Sequence, residues 1–229
     1  MTMVLAAASP ERPVSRRVGR PPATDPAFTR RDILDAARVL FAKRGFASTT
    51  NRLVAAEAGL TAGAVHHHFG SKLDLYVAVH DDVQDRVYRR FAQSIVGVVG
   101  FRERLRAVLE TAHLMNREDP SLAQFVGAVR IDSRRHPEMR EALIGLVRQR
   151  DEFYAELVDH GVATGEIDPA DRAKVKTLVV TLMIGLTDAV SSHLSQHRLA
   201  IDAIVELLDG SLLRPPDHTS SQPPSTIRV

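Results

Sequence analysis

Apolar residues recur at intervals of three and four positions along most of the chain between residues 28 and 213. This spacing is typical of amphipathic helices, and no segment shows the clean alternation of apolar and polar residues that indicates a half-buried strand. The pattern therefore predicts an all-α fold. The predicted helices span residues 28–44, 51–58 and 62–69, a long segment that follows a cap at Ser71, and residues 101–117, 121–131, 137–161, 169–195 and 200–213.

Two of these helices, over residues 51–58 and 62–69, are short and closely spaced. Thr50 and Thr61 stand directly before them as N-caps, and Gly59 lies in the turn between them. Helices of this length are unstable alone, so they must pack against each other and against the preceding helix. A pair held at a steep angle lets its second helix project into a groove of DNA. The spacing predicts a helix-turn-helix.

The distribution of charge agrees with a DNA-binding N-terminal region. The whole chain has a net charge of +2, but residues 1–72 hold 11 Lys and Arg against 5 Asp and Glu. This indicates that one end of the molecule meets a polyanion, although a solvated basic face would give the same imbalance. The chain has no cysteine, and its longest apolar run, within 178–186, is shorter than the ~20 residues of a membrane span. We expect a cytoplasmic protein with no membrane segment.

The two ends of the chain differ from the rest. Residues 1–27 are rich in Ala, Pro and Arg, and residues 215–229 are rich in Ser, Thr and Pro. Such compositions bury too little apolar surface to offset the entropy of ordering the chain. We predict a disordered basic arm over 1–27 and a disordered tail over 215–229.

Residues at fixed spacing in the first four helices carry a family resemblance. They are Ile33, Ala36, Ala37, Leu40, Phe41, Gly45 and Phe46, then Thr50, Val54, Ala55, Ala58, Gly59 and Leu60, and finally Thr61, Gly63, Val65, His68, Phe69, Ser71, Lys72 and Leu75. Through them the stretch from Thr29 to Leu75 resembles the DNA-binding domain of the tetracycline-repressor (TetR) family of bacterial regulators. The resemblance implies a helix-turn-helix DNA-binding domain over 28–75, joined by a long helix to a helical effector-binding and dimerisation domain over 76–214.

The resemblance also implies which residues contact duplex DNA. Small side chains on the third helix would let it approach the base edges closely, and Lys72 at a helix N-terminus would bind a phosphate. His66 departs from the family, which usually has tyrosine there, but a histidine can still donate to a phosphate. The candidate DNA-contacting residues of the helices are Thr50, Arg52, Thr61, Ala62, Gly63, Ala64, His66, His67, His68 and Lys72.

Upstream of the first helix, residues 16–22 resemble the Gly-Arg-Pro core of arms that bind the minor groove. Arg20 would be the arginine that enters a narrow A·T groove. The alternative is a basic tail without any groove preference.

The C-terminal region is where the resemblance implies an effector pocket. Candidate lining residues are Leu105, Leu109, His113, Asn116, Phe125, Val129, Leu146, Phe153, Met183, Leu186 and Asp188. Ordinary core packing explains many of them equally well. Because only 5% of residues are aromatic and aliphatic residues are many, an elongated apolar small molecule is the expected effector class.

The last two predicted helices carry more apolar surface than one subunit is expected to cover. These residues are Val175, Leu178, Val179, Leu182, Leu186, Ile201, Ile204, Val205 and Leu208. In proteins of the resembling family such helices pack against their copies in a homodimer, and Gly185 and Ala189 would allow close approach. The alternative is that both helices simply close the core of one subunit.

No cofactor, metal site or catalytic site is expected. Consecutive residues of a helix point ~100° apart, so the run His66 to His68 cannot converge on one ion. His193 and His197 are four residues apart but lack an evident third ligand, and two solvated histidines near a helix end are the favoured interpretation. The sequence contains no recognisable pairing of a nucleophile with a base and no phosphate-binding glycine loop. We do not expect an enzyme.

Together these observations predict a homodimeric repressor that a small-molecule effector releases from a palindromic operator. One alternative is a regulator of the same fold that activates transcription. Another is a helical ligand-binding protein that has lost its affinity for DNA, and the departure at His66 would be a sign of that loss.

Overall fold

The computed structural model describes residues 26–189 and 193–213, and over these residues it is helical without strands. The all-α prediction is therefore confirmed. Arg20, with the greater part of the predicted arm and the predicted tail, lies outside the described residues. The helices are α1 (Pro26–Ser48), α2 (Asn51–Glu57), α3 (Ala62–Phe69), α4 (Lys72–Ser94), α5 (Phe101–Glu118), α6 (Pro120–Arg135), α7 (Pro137–Leu143), α8 (Arg148–Ala163), α9 (Arg172–Ala189) and α10 (Leu194–Leu208).

The first three helices form a small bundle, which we call the head. Its core is apolar, with Ile33, Phe41, Val54 and Val65 all fully buried. The α1 helix is interrupted at Gly45, where φ is 72° and ψ is 175°. A residue with a Cβ atom is strained at such a positive φ, so glycine is needed here for the chain to turn towards α2.

The remaining helices, α4 to α10, form the body. The α4 helix leaves the head and packs on α5 and α8, while α6 packs on α9 and α10 packs on α5. A predicted domain boundary after residue 75 falls inside α4, in its first turns. None of the described helices is both long and apolar enough to cross a membrane.

Three predicted helix boundaries in the body were wrong. The helix predicted over 169–195 corresponds to α9, which ends at Ala189. The helix predicted over 137–161 is divided into α7 and α8 by a 3-10 turn at Ile144–Val147. Gly145 lies in that turn, and glycine favours helix interruption because it loses the most backbone entropy on folding. The last helix begins at Leu194 rather than residue 200, because the polar side chains near its start are paired: Arg198 binds both Asp202 and Glu110.

Buried polar contacts join the head to α6 of the body. The carboxylate of Asp132 on α6 is 5% exposed. Its Oδ2 accepts hydrogen bonds from the backbone N–H of Phe46 at 3.0 Å and from the hydroxyl of Tyr76 at 3.1 Å. Burial, together with the nearby carboxylate, raises the pKa of Tyr76 above its ordinary value, so this hydroxyl stays a donor. Asp132 thus connects α6 to the end of α1 and to the start of α4.

Arg38 makes the second connection. This arginine of α1 is 5% exposed. Its Nε donates to Ser121 Oγ at 2.9 Å, and its Nη2 donates to Asp119 at 2.7 Å. Its Nη1 binds Asp35, which also pairs with Arg86 of α4 at 2.9 Å. A buried guanidinium is stable only when its donors are satisfied, so the head is held to the beginning of α6 as well as to its end.

Candidate nucleic-acid interface and effector cavity

The α2–α3 unit of the head is fixed by its caps and its turn. The Oγ1 atoms of Thr50 and Thr61 accept from the N–H groups of Leu53 and Ala64, each at 3.2 Å. Gly59 takes a φ of 68° in the turn between the helices. Because threonine hydroxyls that accept in a cap still have a hydrogen to donate, both caps can also bind a phosphate.

The two sides of α3 differ sharply in exposure. Val65 and Phe69 are buried in the head. On the outward side, Gly63, His66 and His67 are exposed. This surface carries small side chains next to imidazoles, which suits close approach to base edges. Of the remaining predicted contacts, Thr50, Arg52, Thr61 and Ala62 are exposed, while Ala64, His68 and Lys72 are half-buried.

Two predicted contact residues also make bonds inside the head. Lys72 donates from Nζ to the carbonyl oxygen of Phe46 at 2.9 Å, and its ammonium lies 4.1 Å from the centre of the Phe46 ring. His66 Nδ1 lies 2.5 Å from the carbonyl oxygen of Gly70. Lys72 is therefore part of the joint between α4 and the end of α1, in addition to any role at DNA.

Sequence reasoning missed one cation beside α3. The guanidinium carbon of Arg30 on α1 lies 5.0 Å from the centre of the Phe69 ring. This places a positive charge next to the end of α3, where it adds to the electrostatic attraction of the head for phosphates. The contact joins residues far apart in sequence, so only the packing of α1 on α3 could reveal it.

The body contains an apolar cavity of about 120 Å³. Its walls come from α4, α5, α6, α8, α9 and α10, and it is partly open to solvent. Most of its lining is aliphatic or aromatic. The apolar lining residues are Val83, Val87, Tyr88, Phe91, Ala112, Met115, Leu122, Ala123, Val126, Tyr154, Val180, Met183, Ile184 and Leu186.

Polar groups are few in the cavity wall. Arg130 of α6 and Asp188 of α9 form an ion pair at 2.6 Å, and each side chain is 37% exposed. Gln84 of α4 donates from Nε2 to His80 Nε2 at 3.2 Å, and its own Oε1 is buried without a hydrogen-bond partner. Burial, with a smaller effect of Arg150, lowers the pKa of His80 to about 4. The cavity therefore presents a largely apolar surface with an ion pair and a free carbonyl acceptor.

The structure places only some of the predicted effector residues in the cavity wall. Asn116, Met183, Leu186 and Asp188 line the cavity. The side chain of Leu146 lies outside the described part of the structure. The others are absent from the lining, and most of these are core residues of the body: Leu105, Leu109, His113, Phe125, Val129 and Phe153.

The main lining residues that the prediction missed belong to α4 and α6. Val83, Val87 and Phe91 form one apolar stripe of α4, the helix that the sequence analysis treated only as the link between the two domains. Val126 and Arg130 of α6 gave no signal in the sequence that distinguishes a cavity wall from a core.

The expectation of two solvated histidines was wrong for His197. Its side chain is 3% exposed and its ring stacks on that of His113, with the two Nδ1 atoms 3.2 Å apart. Burial and the neighbouring His113 lower the pKa of His197. The four-residue spacing to His193 was misleading because α10 begins at Leu194 and turns His197 inwards against α5. Among the described residues, no three His, Asp or Glu side chains are placed to share a metal ion.

Known proteins resemble this chain along most of its length. The family model "Bacterial regulatory proteins, tetR family" matches residues 33–79. The HTH-type transcriptional regulator UidR of Escherichia coli K12 is 26% identical over 176 residues, which are 76% of this chain and 86% of UidR. The structure of Salmonella enterica GusR has a TM-score of 0.68 and 26% identity, and the match covers 83% of this chain and 98% of GusR.

A third likeness concerns the fold alone. Bacillus subtilis FadR in complex with stearoyl-CoA has a TM-score of 0.66 at 16% identity, over 80% of this chain and 99% of FadR. Helix-turn-helix head, helical body and relatives together define a DNA-binding transcriptional regulator. The match to the family model and these relatives confirm the resemblance to the TetR family found in the sequence.

Proposed function

We propose that the chain is a homodimeric repressor that binds a palindromic operator and leaves it when a small apolar molecule enters the body. One observation carries this proposal: α4 and α6 line the cavity, and the same two helices hold α1 of the head. A change of cavity shape therefore changes the position of the head. The proposal places the protein in the cytoplasm with its DNA and gives it no catalytic role.

The DNA contact is assigned to the outward side of α3 and to the caps beside it. Gly63 and His67 lie opposite the buried residues of α3, so they would point to the floor of the major groove. Arg52 and the two cap threonines flank this surface and would bind phosphates. Two heads in one assembly would occupy sites one DNA turn apart, ~34–36 Å, which is the spacing of a palindrome.

The second subunit is assigned to the uncovered faces of α9 and α10. Leu178 of α9 is 54% exposed, and Leu199 and Leu207 of α10 are 69% and 51% exposed. Burying such a surface stabilises association by roughly 25 cal/mol per Å² of apolar area, before the costs of association. A Cβ atom at Gly185 would have no neighbour within 4 Å, so this position is open to a partner helix.

The same helices also close the core of one subunit. Val179, Leu186 and Ile201, which we expected at the dimer interface, are 2%, 4% and 0% exposed. The two interpretations of these helices are therefore not exclusive, because opposite faces of α9 and α10 serve the core and the proposed partner.

The effector is assigned to the cavity. An aliphatic lining with three aromatic rings at Tyr88, Phe91 and Tyr154 favours an apolar ligand. FadR, which shares the fold, has a complex with stearoyl-CoA, and this supports an apolar ligand for a body of this shape. A polar end group of the ligand would meet the pair of Arg130 and Asp188.

Release follows if the effector binds better to a body whose α6 is displaced. Asp132 and Arg38 would transmit that displacement to α1. Both are buried, so loss of their hydrogen-bond partners would cost free energy. The operator affinity then falls by the difference in effector affinity between the two arrangements.

The test combines DNA binding with identification of the ligand. The purified full-length chain is titrated with DNA from upstream of its own gene, and its co-purifying small molecules are identified by native mass spectrometry and added back. We expect a sequence-specific complex at low salt, and we expect it to dissociate when the recovered ligand is added. A missing specific complex would contradict the DNA role, and a complex indifferent to the ligand would contradict release.

Matched arginine variants localise the DNA contact. Arg52→Ala should weaken operator binding about tenfold and reduce the dependence of log affinity on log salt by about 1. Arg148→Ala removes an equally charged side chain that is 82% exposed on α8. It should leave both quantities unchanged, and equal effects of the two variants would contradict the assigned surface.

A further inference from the structure

The ring of His66 is held by the end of its own helix. Its Nδ1 lies 2.5 Å from the carbonyl oxygen of Gly70. Gly70 ends α3 with φ 69° and ψ −89°, and its N–H donates to the carbonyl oxygen of His66 at 2.8 Å. The two residues are therefore joined by bonds in both directions, one through the backbone and one through the imidazole.

This bond determines which ring nitrogen carries the hydrogen. A carbonyl oxygen can only accept, so Nδ1 of His66 must be the N–H donor. A neutral imidazole has a single N–H, and Nε2 is then a bare acceptor. Because the side chain is exposed on α3, this acceptor is the ring atom of His66 that remains available to a bound molecule.

An acceptor discriminates among the groups of duplex DNA. Phosphate oxygens, guanine O6 and N7, and thymine O4 are all acceptors, and would repel Nε2. Adenine N6 and cytosine N4 carry hydrogens and would bind it. The phosphate contact expected from the sequence is therefore disfavoured for neutral His66, while a contact to an exocyclic amino group is favoured.

We infer that His66 is a specificity-determining residue that selects adenine or cytosine, rather than guanine or thymine, at the nucleotide facing it in each half-site. The inference rests on the proposed placement of α3 in the major groove. Arg52 and the cap threonines supply the donors for phosphates, and the imidazole of His66 supplies the acceptor for a base.

The tautomer is tested without DNA. Long-range ¹H–¹⁵N NMR spectra of the full-length chain, labelled at histidine and recorded at pH 8, distinguish a ring protonated at Nδ1 from one protonated at Nε2. We expect Nδ1–H for His66, with assignment by the His66→Gln variant. Protonation of the neutral ring mainly at Nε2 would overturn the inference and leave the proposed DNA binding untouched.

The base preference is tested by selection from random duplex DNA at pH 8. Wild-type protein should favour adenine or cytosine at one position of each half-site by about fivefold, the worth of one hydrogen bond. His66→Glu, which can only accept, should retain cytosine there, and His66→Arg, which can only donate, should change the preference to guanine.

Arg148→Ala provides the control, since Arg148 is 82% exposed on α8 of the body and lies outside the proposed DNA surface. The base preference at the position that faces His66 should be the same as in wild type. An identical preference in wild-type and His66→Arg protein at every position would overturn the inference, as would a wild-type preference for guanine or thymine at the affected position. Failure of wild-type protein to enrich any sequence would instead contradict the proposed function as a whole.

Discussion

The head and the body of this regulator differ in how completely their cores are filled and their apolar surfaces are covered. In the head, short helices are capped, the core is closed, and the buried Arg38 has partners for Nε and both terminal nitrogens. The body keeps a cavity of about 120 Å³ and an uncovered face with Leu178 and Leu199 exposed. Folding alone completes the head, while the body keeps an apolar cavity and an exposed apolar face, to which we assign the proposed ligand and second copy.

The difference has a physical reason. Reading DNA requires α3 at a fixed angle, so the head benefits from dense packing and paired polar groups. Responding to a signal requires that the body have alternative arrangements of similar free energy, and an unfilled apolar cavity leaves room for them. Asp132 and Arg38 lie at the contact between the densely packed head and the body that holds the cavity.

The largest effect on operator affinity is expected from placing a charge on the exposed apolar face of α9 and α10. Leu178→Glu places a charge where the second copy would pack, so the chain should become monomeric by analytical ultracentrifugation. Loss of the linked second head should lower operator affinity by about 10²- to 10⁴-fold. Val96→Glu is the control, because Val96 is 79% exposed outside α9 and α10. If Leu178→Glu stayed dimeric, the assigned dimer surface would be wrong.

A smaller but substantial effect is expected at the contact between the head and the body. Asp132→Ala leaves the N–H of Phe46 and the hydroxyl of Tyr76 without their acceptor in a buried site. We expect a loss of about 3 kcal/mol in the free energy of unfolding in urea. Tyr76→Phe removes only one of the two bonds and should cost about 1 kcal/mol. Equal stability of Asp132→Ala and wild type would contradict the role of this carboxylate.

The body should also respond to acid through His80. Its pKa is about 4 in the folded chain against an ordinary 6.5, so in this range the unfolded chain binds more protons. The free energy of unfolding should be at its maximum above about pH 6.5. It should decrease on acidification, by about 1 kcal/mol between pH 7.5 and 5.5. Urea midpoints across this range measure the effect.

His80→Gln should remove most of this pH dependence, with the remainder due to His197, whose pKa is also lowered. His67→Gln changes an exposed histidine of the head and should leave the pH dependence as in wild type. A full acid response in His80→Gln would show that its buried imidazole is not responsible.

The smallest change in stability is expected from filling the cavity. Ala123→Phe adds a ring to the α6 wall and should stabilise the chain by up to about 1 kcal/mol if the ring fits without strain. Binding of an apolar fluorescent probe such as N-phenyl-1-naphthylamine should weaken strongly, while operator affinity is retained. Undiminished probe binding would place the apolar site elsewhere.

The same contrast explains what the sequence could reveal. The caps Thr50 and Thr61 and the turn at Gly59 depend on neighbouring residues, so local rules found the helix-turn-helix correctly. The cavity depends on how six helices meet, and no local rule separates Val126, which lines it, from Phe125, which is fully buried in the core. His197 was misjudged for the same reason, since its burial comes from a helix more than eighty residues earlier.

We propose that the head acts on DNA only in pairs organised by the body. Native mass spectrometry with a selected operator, as a full palindrome and as a single half-site, measures this directly. We expect two chains on the palindrome, no complex with a single chain at comparable protein concentration, and binding to the half-site weaker by at least about 100-fold. One chain bound to the half-site with the affinity of the palindrome would contradict the claim.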